Sequence, residues 1–174
     1  MIDQEVFLRA VGRIGLGLLT LFVLLALSII PFKVAGLGDI RPAFILMAVY
    51  YWSILRASPL VPVVAFLLGI LLDLIAAWPL GMHAMIFVAA QWITAGQRRF
   101  LLGQPFPVIW AVFGLIAIGA SALQWGVFSL LSLSLVPVKL LLVSTALSIC
   151  LFPAIVVPLS IVHKALSDDR ADGA

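Results

Sequence analysis

Charge is what this chain has least of. Only 10% of its 174 residues are Asp, Glu, Lys or Arg, against 65% hydrophobic, and the mean hydropathy is +1.31. That balance excludes a water-soluble globular domain and leaves no polar stretch long enough to form a separate soluble catalytic domain. Cysteine is almost missing as well. Cys150 stands alone, so neither an internal disulfide nor a cysteine metal cluster can be built, and its expected role is to fill the core. There is no His-Glu-x-x-His pair, no Gly-x-x-x-x-Gly-Lys phosphate loop and no serine with an evident paired base. An intramembrane aspartyl protease needs two carboxylates sharing a proton, and the apolar core offers one. The expectation is a protein that is not an enzyme and carries no cofactor and no metal.

What is present is a series of long apolar runs. They predict six membrane spans at about 14–32, 43–55, 60–78, 80–95, 108–130 and 140–162, followed by a polar tail at 163–174. Together these make an all-α fold, a single integral membrane domain over residues 1–174. The first run is too long for a cleaved signal core and reads as an uncleaved anchor. The second, short for a span, opens at Arg41-Pro42 and ends in Tyr50, Tyr51 and Trp52, aromatics suited to a membrane interface. Pro79-Leu80-Gly81 ties the third and fourth runs into a tight hairpin. Pro153, with Pro158 as a second candidate, marks a kink in the sixth.

Six spans put both termini on one side. Arg9, Arg13, Arg56, Arg98, Arg99, Lys164 and Arg170 lie on that side, against Lys33, Arg41 and Lys139 opposite, which predicts cytoplasmic termini. The pI near 9.5 therefore reflects topology and lipid head-group contact, and no nucleic-acid partner is expected. On this topology Arg41, Asp73, Trp78 and His83 gather in the outer half of the membrane.

Asp73 is the one carboxylate inside an apolar run. A charge kept where water is scarce needs a partner, a wet pocket or a proton. Ala65, Gly69, Asp73 and Ala77 are spaced four apart and share a helix face. Small residues let helix backbones approach closely, so the spacing turns Asp73 into a helix interface and away from lipid. A structural ion pair or hydrogen-bond anchor, with Arg41 or with a neighbouring helix terminus, outweighs a proton or ligand site roughly two to one. Arg41 on its own reads as snorkelling to head groups. His83, with no second ligand at metal spacing, reads as a hydrogen-bonded turn residue. Gln91 and Gln124 read as interhelical hydrogen-bonding residues, and the pairs Ala117 with Ser121 and Ala122 with Gly126 as small-residue packing faces.

Arg41-Pro42 opening a short aromatic-ended span, then Gly69-x-x-x-Asp73 and Pro79-Leu80-Gly81-x-x-Ala84, is a constellation that resembles the rod shape-determining protein MreD family. The likeness is strongest from Arg41 to about Arg99. It implies a bacterial inner-membrane protein, a non-enzymatic scaffold of the cell-elongation machinery. Its implied partners are MreC, the MreB filament, and the glycan polymerase and transpeptidase that build side-wall peptidoglycan. It also implies a fold resembling the substrate-binding subunits of energy-coupling-factor transporters. Arg41, Pro42, Gly69, Asp73, Pro79, Leu80, Gly81 and Ala84 form its motif, architectural and not catalytic. The main rival is a small-molecule-binding subunit of a vitamin-type transporter with a pocket near Asp73.

Overall fold

The first helix stops ahead of Pro31 in the sequence. A proline supplies no N–H to a helix and disfavours helical geometry in the residue before it. The structure, a computed structural model, describes residues 19–28, 30, 32–34, 38–55, 60–132 and 138–167. In it helix α1 (Leu19–Ser28) closes short of the expected end at Phe32. Phe32–Val34 forms strand β1 instead, paired antiparallel with β2 (Gly38–Ile40) in the register Phe32 to Ile40 and Val34 to Gly38. This small hairpin is a departure from the strictly all-α fold expected; the remaining described elements are helices. The expected helix start at Ile14 lies outside the described residues, as do Arg9, Arg13, Arg56 and Arg170.

Helix α2 (Phe44–Leu55) is followed by α3 (Leu60–Ala76), α4 (Met82–Gly96), the single turn α5 (Arg98–Leu101), α6 (Phe106–Ser132) and α7 (Val138–Ser167). The boundaries differ from the apolar runs for local reasons. Proline fits the first turn of a helix, so α6 takes in Pro107 and starts before Val108. Lys164, Ala165 and Leu166 are good helix formers, and α7 continues past the apolar limit at Val162, into what the sequence marks as tail. Residues 168–174 of that tail lie outside the described residues.

Two helical stretches, Phe106–Leu130 and Val138–Ser160, are long and apolar enough to cross a membrane; the other apolar helices have 10–17 residues. Outward faces are greasy throughout, with Leu130 78% and Leu115 70% exposed. An apolar surface of that extent suits lipid and not water.

Short α2 is the centre of the bundle. Nine of its twelve residues are buried, as expected of a helix that is hydrophobic all round. At about 18 Å long it cannot bring both ends to water across roughly 30 Å of hydrocarbon, so its free backbone groups need protein partners. They have them. The Ala43 N–H, at its start, donates to Ser148 Oγ at 2.9 Å, and Ser144 Oγ donates to the Arg41 carbonyl at 2.7 Å. At its far end Arg98 donates from Nε to the Ile54 carbonyl at 2.7 Å and from a terminal nitrogen to the Leu55 carbonyl at 3.2 Å. A cation belongs at that end of the helix dipole. Midway, fully buried Tyr50 donates its hydroxyl to the Ile109 carbonyl at 2.8 Å. Its ring packs against Phe113 and Phe152, which stack on each other with centroids 4.2 Å apart.

Helix α7 runs through Pro153 and Pro158. Pro153 leaves the Ile149 carbonyl without its helical donor, and Trp110 of α6 fills the place, donating Nε1–H to that oxygen at 2.8 Å. Ser121 of α6 and Thr145 of α7 share a second interhelical hydrogen bond. We therefore expect Trp110→Phe to lower stability by about 1–3 kcal/mol. In a Pro153→Ala background, where the helix recovers its own N–H donor, most of that loss should vanish. Unfolding of the four proteins in detergent measures the coupling, and equal losses in both backgrounds would refute the assignment.

Candidate functional site

The expected packing face of α3 is present up to the point where the helix ends. Ala65 and Asp73 are each 1% exposed and Gly69 is buried, with Gly69 and Asp73 meeting α4. A Cβ added at Gly69 would lie 2.3 Å from the Ala84 Cα and 2.8 Å from the His83 carbonyl carbon, so only glycine lets the two backbones meet. Ala84 is fully buried at the contact. Ala77, expected to extend the face, leaves the helix: its φ of 54° places it in the left-handed region.

That turn of the chain is a left-handed helix ending of the Schellman type, in which the N–H two residues past the last helical one reaches back to a carbonyl five residues earlier. Here the Trp78 N–H donates to the Asp73 carbonyl at 3.0 Å. Pro79 follows, where a residue without an N–H ends the helix at no cost. Its carbonyl accepts the Met82 N–H at 3.2 Å. Gly81 then takes φ 91° with open space around its missing Cβ, so glycine is required by conformation and not by crowding. Leu80 caps the tip, 68% exposed.

The side chain of Asp73 completes the lock. Its Oδ2 accepts the Gly81 N–H at 2.9 Å, and the His83 N–H lies 3.2 Å from both carboxylate oxygens. The His83 ring donates from Nδ1 to Oδ1 at 2.6 Å. These donors belong to the first turn of α4, whose N-terminus has no side-chain cap of its own. A carboxylate there satisfies orphaned N–H groups and complements the helix dipole. Thus one residue closes the end of α3 with its carbonyl and the start of α4 with its carboxylate.

Arg41 does not enter this network. Among the described residues the side-chain partner of Asp73 is His83, while Arg41 is exposed and engaged through its main-chain carbonyl. Pro42 is fully buried beside it, its carbonyl accepting the Phe44 N–H. His83, expected as a turn residue, is the second residue of α4. Its ring sits against Trp78 and Phe87 with centroids 5.7 and 5.9 Å away. Gln91 is buried in α4 and Gln124 half-buried in α6, but neither makes the expected interhelical bond among the described residues. Hydroxyls and an indole take that role.

Several residues that hold the structure were missed in the sequence. Ser144 and Ser148 carry one detectable signal, a spacing of four on one helix face; Trp110 carries none. Arg98 looks like any interfacial arginine until the carbonyls of α2 are placed beside it.

Beside the lock lies a cavity of about 520 Å³. Its described walls come from the end of α1, the start of α2, the α3–α4 turn, the later half of α6 and the early half of α7. Successive helices therefore meet this end of the bundle with alternating polarity.

An apolar helical bundle whose sequestered acid serves backbone groups defines a helical membrane protein. The family model for rod shape-determining protein MreD matches residues 9–162, nearly the entire chain, and the chain belongs to that family. No curated protein and no solved structure matches it.

Asp73→Ala should cost about 3 kcal/mol or more, because it strands several buried donors at once. Ala77→Gly should do the opposite and gain about 1 kcal/mol by relieving the left-handed residue. Thermal unfolding of the purified protein reads both signs, and a destabilised Ala77→Gly would contradict the turn geometry.

Proposed function

We propose that this membrane protein of the rod-shape system is a non-enzymatic scaffold of the cell-elongation complex. Its partners are MreC, the MreB filament, and the polymerase and transpeptidase of side-wall peptidoglycan synthesis. It is an integral domain of six spans in the bacterial inner membrane, with both termini cytoplasmic and the α3–α4 turn facing outward. The excess of basic residues on the terminal side, seven against three, supports that orientation. The likeness to energy-coupling-factor substrate-binding subunits belongs to the same proposal and rests on the resemblance alone.

One observation carries the scaffold reading: the Asp73 carboxylate is committed to the start of α4 and is only 1% exposed. An acid so placed fixes the shape of an outward hairpin. Fixed shape is what a partner-binding surface needs, since a preorganised surface loses less freedom on binding. The motif residues Gly69, Asp73, Pro79, Gly81 and Ala84 are then parts of one device, while Leu80 is its exposed tip.

A second reading is favoured by the cavity, whose volume falls in the range of about 300–1,000 Å³ usual for small-molecule sites. It makes the chain a small-molecule-binding subunit of transporter type with its pocket near Asp73.

Cells whose own copy is depleted should regain rod shape with the wild-type chain and with Ala77→Gly. They should stay rounded with Asp73→Asn or Gly69→Leu, and recovery of MreC on the tagged variant should fall at least fivefold at equal membrane abundance. Normal shape and full partner recovery with Asp73→Asn would remove Asp73 from the interaction surface.

A further inference from the structure

The cavity beside the hairpin has a charge asymmetry that limits what it can hold. Among its described lining residues there is no Asp or Glu, and Arg41 carries the one fixed charge. Asp73, the nearest acid by sequence, is not a lining residue and has its oxygens committed to α4. A second polar group is uncommitted: Gln124 lines the cavity and its amide makes no hydrogen bond among the described residues. Deeper walls are aliphatic or aromatic, including Leu72, Phe87, Trp125, Phe128 and Leu141.

A guanidinium presents several N–H donors and no acceptor, and it favours carboxylate or phosphate oxygens. An apolar wall favours a hydrocarbon body. Volume then decides between a ligand and a protein partner. A cavity of about 520 Å³ lies in the range of about 300–1,000 Å³ usual for small-molecule sites. We propose that this cavity binds a single-chain amphiphile with an anionic head, the head at Arg41 and Gln124 and the chain against the aromatic wall. The assignment deepens the second reading above and rests on it for the cavity being a ligand site, but it does not require transport.

His83 gives the site a fixed wall. It lines the cavity, and its ring is held from Nδ1 by Asp73 and flanked by Trp78 and Phe87. A ring held on three sides cannot swing to fill the space, so the cavity keeps its shape when empty.

The test uses the full chain purified in a neutral detergent, with thermal stability and native mass spectrometry as readouts. The probes are hexadecyl phosphate, hexadecanol, inorganic phosphate and phosphatidylglycerol. Hexadecyl phosphate should bind saturably at one per chain, at least tenfold more tightly than hexadecanol, and inorganic phosphate alone should give no shift. Arg41→Gln, which leaves the main-chain contact to Ser144 in place, should weaken the phosphate at least fivefold and leave hexadecanol unchanged. Gln124→Trp, which fills the cavity, should abolish both. Equal binding of alcohol and phosphate, insensitive to Arg41→Gln, would overturn the anionic head while leaving a ligand site. Tighter binding of phosphatidylglycerol, unaffected by Gln124→Trp, would place the lipid on the outer surface and overturn the assignment. So would an equal shift from inorganic phosphate. Saturable binding of none of the probes would overturn the assignment and leave the second reading to ligands of other chemistry.

Discussion

Backbone groups without partners are the problem this fold has to solve, and the Asp73 carboxylate is its most concentrated solution. In water, the N–H groups that begin a helix and the carbonyls that end it are satisfied by solvent at little cost. In an apolar bundle each orphan costs a few kcal/mol. Asp73 takes the donors at the start of α4 on its side chain and a donor past the end of α3 on its carbonyl. Gly69 lets the same two helices touch. Without the lock, close approach would bring two frayed ends together; without the close approach, the carboxylate would not reach.

The same constraint explains the polar contacts at the ends of α2 and at the gap left by Pro153. Central α2 is too short to reach water at both ends, and its termini are served by Ser144 and Ser148 of α7 at one end and by Arg98 at the other. An acid stands at a helix start and a base at a helix finish, each where the dipole favours its sign. Both exchange hydration for charged hydrogen bonds, worth about 1.5–3 kcal/mol each where the partner is well placed. Trp110 answers the gap left by Pro153 in the same way. At these positions buried polarity repairs backbone.

This separates what the sequence disclosed from what it could not. Asp73 was legible because one carboxylate in an apolar run is conspicuous, and the small residues four apart predicted that it faces a helix. The partner was one of two open alternatives, Arg41 or a helix terminus, and hydropathy cannot choose between them: the answer depends on Ala77 turning left-handed and folding α4 back. Strands β1 and β2 were invisible for a similar reason. Phe32 ends the first apolar run, and hydropathy does not tell strand from helix there. Arg98 and Trp110 could not be found by pattern at all, since each is defined by a carbonyl distant in the chain, and Ser144 shows only as one of two serines spaced four apart. The cavity is further still from the sequence, being a property of what six helices leave between them.

Lock and cavity share a residue, and that bears on how scaffold and ligand site relate. His83 gives Nδ1 to Asp73 and a face of its ring to the cavity, so a change in the cavity wall is felt at the hairpin within one side chain. A ligand that favours one arrangement of that wall shifts the hairpin only by as much as its affinity differs between arrangements. The Asp73 contacts, several and mutually reinforcing, make alternative arrangements costly. Occupancy would therefore stiffen the α3–α4 hairpin more readily than move it, and a stiffer hairpin is a better platform for a partner. On this physical ground a bound amphiphile and a scaffold role reinforce each other, whereas a transport cycle, which needs the wall to open, works against the lock.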